Sequence, residues 1–147
     1  MTREEALAKL EETVKAAGPF VMATVDEARA PQMRWMGAAI RDTQNALLYY
    51  LVCGSSSRKM AQIAQNPATQ LMFHTEGFQC IVTVSGKSQA VDSAGLKHSI
   101  WEQTPVLARY YAGPDDPRFA LIGFEVECLE ILCIGGSHEP VRVSFCD

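Results

Sequence analysis

The spacing of apolar residues divides the chain into a helical beginning and a long region of β-type pattern. Apolar residues recur at helical spacing from Leu7 to Val14, and Thr2 with Glu5 has the pattern of a capping box. Gly18-Pro19 predicts the end of the helix, so we expect a helical segment within residues 1–18. Beyond it, branched and aromatic residues in short alternating runs predict strands.

Strand-like runs and turns account for most of the remaining chain. We predict strands at 20–25, 31–40, 46–52, 69–74, 78–84 and 119–134, helices at 58–65 and 93–103, and a polar tail at 135–147. Six strands joined mainly by hairpins favour an antiparallel barrel with appended helices in one mainly β domain, 1–147. A parallel α/β sheet fits less well, because helices do not separate the strands regularly.

The predicted strand 31–40 has two distinct faces. Arg34, Met36 and Ala38 share one face, and the other carries Met33, Trp35, Gly37 and Ala39. Since side chains fill the interior of a small barrel, a ligand is expected on its outside, at its rim or between subunits.

Composition narrows the classes of protein that this barrel could represent. The chain has 147 residues and a net charge of −4, which disfavours sequence-independent binding to nucleic acid. Its longest apolar run, Leu47–Cys53, is far shorter than the roughly 18 residues that cross a membrane. The first residues are acidic where a signal peptide would be basic, so we expect a cytoplasmic protein.

The five cysteines predict no special chemistry. Their number is odd and no pair has C-x-x-C spacing, which favours buried, reduced thiols. A metal site would need these thiols to converge with His74, His98 or His138, and nothing in the spacing predicts that convergence. We therefore assign no metal ligand.

The segment Ser57-Arg58-Lys59 is the most informative for function. It begins the predicted helix 58–65, where the helix dipole attracts anions and disfavours cations. Two cations in that first turn fit a phosphate ligand, for which Ser57 would supply a hydroxyl, Arg58 a planar fork and Lys59 a point charge. They fit equally well a solvent-exposed helix start with two surface cations.

At this point the chain resembles the pyridoxamine 5′-phosphate oxidase-like, FMN-binding split-barrel family, and within it the bacterial general stress proteins. The resemblance is carried by FVMATVD at 20–26, PQMRWM at 31–36, YYLVCGSSSRKMAQIAQNP at 49–67, VTVSGKSQAV at 82–91 and GPDDPRFALIGFEVE at 113–127. It implies a six-stranded split barrel, a homodimer, and flavin sites at the subunit interface.

The resemblance also implies a set of cofactor-binding residues. The FMN phosphate is expected to contact Arg34, Ser57, Arg58 and Lys59. The isoalloxazine ring and ribityl chain are expected beside the backbone of Trp35, Met36 and Gly37 and near Leu51 and Val52. Residues of the partner chain complete such sites in the family, and Trp101 is the candidate for stacking there.

The chain departs from the true oxidases at its C-terminus, where it lacks the Arg/His/Trp segment that grips pyridoxamine phosphate. Oxidation of that vitamin is therefore not expected. The resemblance implies electron exchange between a reduced nicotinamide or another donor and an unknown small acceptor, with FMN as cofactor and no side chain assigned as catalytic. The alternatives are a non-catalytic flavin carrier or redox sensor, and a relative that binds haem or a deazaflavin or has lost its ligand.

Overall fold

A computed structural model describes residues 1–136 and 139–147; His138 lies outside the described residues. The helices are α1 (Arg3–Ala16), α2 (Arg58–Gln65) and α3 (Ala94–Gln103). The strands are β1 (Phe20–Val25), β2 (Pro31–Met36), β3 (Ala39–Arg41), β4 (Leu48–Gly54), β5 (Ala68–His74), β6 (Cys80–Val91), β7 (Phe119–Cys133) and β8 (Val141–Ser144).

All the strands of the described chain belong to one antiparallel sheet. Its order is β2-β1-β5-β6-β7-β4-β3, with β8 paired to β7. β2 and β3 stand at opposite ends of this order but follow each other in the chain through Gly37-Ala38, so the sheet must curl until its ends approach. The Val52 N–H donates to the Ala38 carbonyl at 3.4 Å, which extends the pairing of β3 with β4 into this turn. The predicted mainly β split barrel is confirmed.

The number of strands differs from the six predicted, because the described residues form eight. The expected strand 31–40 divides at Gly37-Ala38 into β2 and β3. Met36 and Ala39 both pack against the barrel core although they lie three positions apart, so the alternation of faces slips by one residue at this bend. The remaining strand, β8, lies in the segment that we expected to be a polar tail.

Two hydrophobic clusters hold the fold together. The larger fills the barrel with buried side chains from β1, β4, β5, β6 and β7, among them Phe20, Leu51, Phe73 and Phe124. The smaller lies outside the barrel, where α3 and the turn after it cover β4 and the start of β7 through Ile100, Leu107 and Phe119. The second cluster therefore fixes residues 105–111 against the outer face of β4.

Gly86 allows the long strand β6 to bend around the barrel. The register with β7 shifts between Ser85 and Gly86, as is common where a glycine stands inside a strand. A Cβ at Gly86 would stand 1.9 Å from the carbonyl oxygen of Glu125. No larger residue fits this close approach of two backbones without moving one of them.

The prediction that the cysteines are buried, reduced thiols is wrong for three of the five. Cys80 and Cys133 face each other in the register of β6 and β7 and form a disulfide with a Cα–Cα distance of 4.1 Å. Cys146 is exposed, whereas Cys128 is half-buried and Cys53 is a buried free thiol. Disulfides are rare in reducing compartments, so the cytoplasmic location stays a prediction.

Candidate functional site

Arg34 is held by neutral groups at the open edge of the barrel. From β2 its Nη1 donates to the Thr24 hydroxyl at 2.7 Å and to the Met22 carbonyl at 3.3 Å. Its Nη2 donates to Oε1 of Gln62, on α2, at 3.0 Å. Burial lowers the pKa of Arg34, and the positive charge of Arg58 lowers it further. The guanidinium is thus fixed in position and forms no ion pair in the part of the chain that the structure describes.

Lys59 and Arg58 lie beside Arg34 but in different surroundings. Lys59 is half-buried; burial lowers its pKa, and the positive charge of Arg34 contributes in the same direction. Arg58 is exposed, reaches Oε1 of Gln32 at 3.5 Å, and helps to lower the pKa of Asp26. The structure therefore brings the three predicted cations together in what we call the cation cluster. Arg34 and Lys59 are its partly buried members, and Arg58 is its exposed member at the rim.

Ser57 occupies the N-cap position of α2, as predicted, but its hydroxyl does not cap the helix. Its Oγ is buried and forms no hydrogen bond of good geometry within the described residues, although it lies close enough to the Cys53 thiol to lower the pKa of that group. An unsatisfied buried hydroxyl costs stability unless something compensates it. No acidic residue occupies the first turn of α2 either, so the helix itself supplies no carboxylate to Arg58 or Lys59.

A cleft of about 400 Å³ lies where the Gly37-Ala38 turn meets residues 106–111. The backbone turn at Gly37-Ala38 and the side chain of Val52 form one wall, and Tyr110 and Tyr111 form the other. Tyr110 is 67% exposed. Because the lining is mostly apolar and aromatic, the cleft suits a planar, apolar group.

Cys53 connects the cation cluster with the cleft. Burial raises the pKa of its thiol, while the Lys59 ammonium pulls it in the opposite direction. Burial also raises the pKa of Tyr111, and Cys53 is the next largest influence on that phenol. Cys53 therefore lies within electrostatic range of both Lys59, among the cations, and Tyr111, in the lining of the cleft.

The other predicted site residues do not all face the cation cluster or the cleft. The side chains of Met36 and Leu51 point into the barrel core, so they can offer a ligand only backbone atoms. Trp35 projects from the opposite face of β2 and is 66% exposed. Trp101 packs edge-on against Phe119, with ring centroids 6.1 Å apart. Its expected contact with a partner's flavin stays a prediction.

Sequence reasoning missed two residues that touch Arg34, namely Thr24 and Gln62. Thr24 is the one hydroxyl-bearing residue in the apolar strand β1, and it is almost fully buried. Gln62 stands three positions after Lys59 on α2, a spacing that places both on one side of a helix. Tyr110 and Tyr111, which are not among the predicted site residues, line the cleft.

The chain belongs to the pyridoxamine 5′-phosphate oxidase family, whose model matches residues 6–133. It is 29% identical over 127 residues to general stress protein 26 of Bacillus subtilis, a match that covers 84% of this chain and 85% of that one.

Solved structures agree on the fold. A Clostridium acetobutylicum protein related to general stress protein 26 has a TM-score of 0.79 at 18% identity and covers 98% of this chain and 97% of its own. An FMN-binding protein from Nostoc punctiforme, related to the oxidase, has a TM-score of 0.69 at 15% identity, with 98% and 94% covered. A haem-binding protein from Mycobacterium smegmatis has 0.73 at 12%, with 98% and 60% covered. At these identities the likeness shows the fold alone.

The described residues contain neither a cluster of metal ligands nor a membrane-spanning helix. Within residues 1–136 and 139–147, no group of three or more His, Cys, Asp and Glu side chains is arranged to hold a metal ion. None of the helices described is long and apolar enough to cross a membrane.

Proposed function

We propose that the protein binds FMN, with the phosphate at the cation cluster and the ring toward the tyrosine-lined cleft, and exchanges electrons with a small substrate. The observation that carries this proposal is a group of uncompensated side chains at one place: within the described residues Arg34 and Lys59 form no ion pair with a carboxylate, and the buried Ser57 hydroxyl forms no hydrogen bond of good geometry. A phosphate monoester, with close to two negative charges and several acceptor oxygens, satisfies all of them.

The residues present fit this cofactor in both of its parts. Arg34 and Lys59 would hold the phosphate with Ser57, and Arg58 would approach it from the rim. Gly37 would let the ring approach the backbone, because nothing lies within 4 Å of where its Cβ would be. A bound flavin supplies the redox chemistry itself, so the protein's task is to bind it, orient it and shield one side from water.

We also propose a homodimer, with partner residues completing each site. Met33 and Trp35 are exposed on the outer face of β2, at 73% and 66%. Their cross-strand neighbours are Ala23 and Val21, and Met72 lies opposite Val21 on β5. Large exposed side chains gathered on one sheet face are typical of a surface that is covered in the assembled protein. Light scattering at micromolar concentration should give twice the chain mass, and a monomer would contradict this part of the proposal.

The experiment that tests the proposal compares FMN with riboflavin, which lacks the phosphate. The double variant Arg34→Ala/Lys59→Ala should weaken FMN binding about 100-fold or more, because each cation makes a charge-assisted contact that only the phosphate offers. Riboflavin binding should change by less than about threefold on the same grounds. Flavin fluorescence quenching measures both affinities.

A matched control removes two cations that are ion-paired on the surface. Lys15 pairs with Glu11 at 3.0 Å and Arg142 with Glu130 at 2.8 Å. Lys15→Ala/Arg142→Ala makes the same change in net charge and should leave both affinities unaltered. Equal losses for FMN and riboflavin in the Arg34/Lys59 variant, or a wild-type protein that binds neither, would contradict the proposal.

A non-catalytic flavin carrier or sensor is the second candidate, and the lining of the cleft favours it. The cleft residues described include no carboxylate and no histidine that could act as a general acid or base. Anaerobic mixing of the FMN-loaded protein with a reduced nicotinamide separates the two functions. In an enzyme the flavin absorbance should bleach at a catalytic rate, and in a carrier it should not. The absorbance of the purified protein separates flavin from haem or deazaflavin.

A further inference from the structure

Arg34, Thr24 and Gln62 form a closed ring of hydrogen bonds. The guanidinium donates to Oγ1 of Thr24 at 2.7 Å and to Oε1 of Gln62 at 3.0 Å. The Thr24 hydroxyl in turn donates to the same Oε1 atom at 2.5 Å. The ring joins the hairpin strands β1 and β2 to α2, which lies more than 20 residues further along the chain.

The direction of these bonds defines what Gln62 contributes. Its Oε1 accepts twice, from a cation and from a hydroxyl, which is the role that a carboxylate oxygen would ordinarily fill. The amide differs from a glutamate only by one nitrogen in place of one oxygen, and it is neutral. Gln62 therefore accepts a hydrogen bond from Arg34 as an ion-pair partner would, but it leaves the positive charge of Arg34 uncompensated.

Neighbouring carboxylates do not cancel that charge either. Asp26, on the turn after β1, accepts from the backbone N–H groups of Ala28 and Ala30 and from the Gln32 amide, each at 2.9 Å. It lies on the side of the exposed Arg58, whose charge helps to lower its pKa. The described carboxylates thus leave Arg34 without an ion-pair partner, although Arg34 is partly buried.

We propose that Gln62 is the residue that determines charge selectivity at this site. It holds Arg34 in place through a neutral oxygen and so reserves the positive charge for the phosphate group of a ligand. Thr24 is a positioning residue that fixes both partners. This inference rests on the proposed function for the identity of the ligand as FMN, and extends it by naming which residues make the site select a phosphate ester.

The variant Gln62→Glu tests the proposal with almost no change in shape. The new carboxylate can accept the same hydrogen bonds, so the ligand-free protein should melt at the same temperature or higher. Its charge would neutralise Arg34 and face the phosphate, so FMN affinity should fall about 30-fold or more, as expected for one opposed charge at a partly buried site. Riboflavin affinity should stay within about threefold of the wild-type value on the same physical grounds.

Gln65→Glu is the matched control. Gln65 lies on the same helix, is exposed and makes no contact with Arg34. This variant makes the same change in net charge and should leave the ratio of FMN to riboflavin affinity unaltered. If Gln62→Glu loses both flavins equally, loses neither, or behaves like Gln65→Glu, the proposal for Gln62 is overturned.

Two variants at Thr24 separate positioning from a merely structural role. Thr24→Ser retains the hydroxyl and should retain the FMN-to-riboflavin ratio. Thr24→Val keeps the shape but removes the acceptor of Arg34, so that ratio should fall about tenfold while riboflavin still binds. An unchanged ratio in Thr24→Val would remove Thr24 from the proposal.

Inorganic phosphate provides a readout that does not depend on flavin. Thermal melting in phosphate is compared with melting in chloride at equal ionic strength, for the wild type and for Gln62→Glu. Phosphate should raise the melting temperature of the wild type more than that of Gln62→Glu. If the wild type binds neither flavin but still shows this difference, the proposed FMN function fails and the inference about Gln62 stands. Equal phosphate effects in the two proteins overturn the inference.

Discussion

Two arginines of this chain, Arg118 and Arg34, show opposite ways of holding a guanidinium. Arg118 meets a carboxylate: its Nε and Nη2 donate to Asp116 at 3.1 and 2.8 Å. The side chain of Asp116 is only 4% exposed, whereas that of Arg118 is 68% exposed. Arg34 differs, because among the described residues its donors meet a hydroxyl, an amide oxygen and a backbone carbonyl but no carboxylate.

The difference separates a structural arginine from a ligand-binding one. Asp116 also accepts the backbone N–H groups of Ala112 and Arg118, so the pair closes the turn that leads into β7. Both carboxylate oxygens of Asp116 accept hydrogen bonds in that turn, and the charges of Asp116 and Arg118 compensate each other. The pair therefore needs no ligand. Within the described residues three of the five N–H groups of Arg34 donate to neutral acceptors and its charge has no carboxylate partner, which is an arrangement that an anion can complete.

The largest effect on stability is expected when the matched pair is broken. Asp116→Asn removes the charge that holds Arg118 and disturbs the carboxylate that organises residues 112–118, so the urea midpoint should fall more than for any other variant described here. Asp115→Asn, at an exposed neighbour paired with His98, is the control. The ratio of FMN to riboflavin affinity should not change. A loss no greater than that of Asp115→Asn would contradict the structural role.

The same pair predicts how stability depends on pH. The Arg118 guanidinium and two backbone N–H groups hold the pKa of Asp116 well below its usual range. A carboxylate whose pKa is lower in the folded state stabilises the fold above its unfolded pKa of about 4, and this contribution is lost on acidification. The difference in urea midpoint between wild type and Asp116→Asn should therefore be constant near neutrality and shrink below about pH 4. A difference that persists undiminished at pH 2 would contradict this assignment.

FMN binding at the cation cluster should depend on salt concentration, whereas the Asp116–Arg118 ion pair should not. FMN affinity should fall roughly tenfold between about 50 mM and about 500 mM chloride, because salt screens the attraction between the phosphate and the cations. Riboflavin affinity should hardly change over that range. Parallel salt dependence for the two flavins would show that the cation cluster does not contact the phosphate.

The smallest effect is expected at Ser57, whose buried hydroxyl forms no hydrogen bond of good geometry within the described residues. Ser57→Ala should leave the stability of the ligand-free protein unchanged or slightly raised, since no hydrogen bond is lost. It should weaken FMN about threefold to tenfold, the typical contribution of one hydrogen bond. Ser56→Ala, at the exposed neighbouring position, is the control and should change neither quantity. A clear loss of ligand-free stability in Ser57→Ala would indicate a structural hydroxyl instead.

Local patterns predicted the fold well because they act over a few residues. The capping box at Thr2 and Glu5 is present with both of its hydrogen bonds, and α2 spans the predicted residues 58–65. Predictions failed where long-range pairing decides the outcome. β8 forms because β7 offers it an edge, and the disulfide forms because the register of β6 and β7 places Cys80 opposite Cys133, 53 residues away.

The candidate site shows the same division. Arg58 and Lys59 could be named from the chain, because cations in the first turn of α2 oppose the helix dipole, and Arg34 could be named from the resemblance to the family. Thr24 and Gln62 could not, since a threonine in an apolar strand and a glutamine on a short helix are unremarkable by themselves. Their importance comes from the fold, which brings both into hydrogen-bond contact with Arg34.

The sequence by itself determined most of the strands and helices, the cations at the start of α2, and the family to which the chain belongs. The tertiary structure decided which charges are matched. Arg118 finds Asp116 two residues away, but whether Arg34 meets a carboxylate depends on the packing of α2 against β1 and β2. Charge compensation is a property of side chains within a few ångströms of each other, and only the folded chain sets those distances.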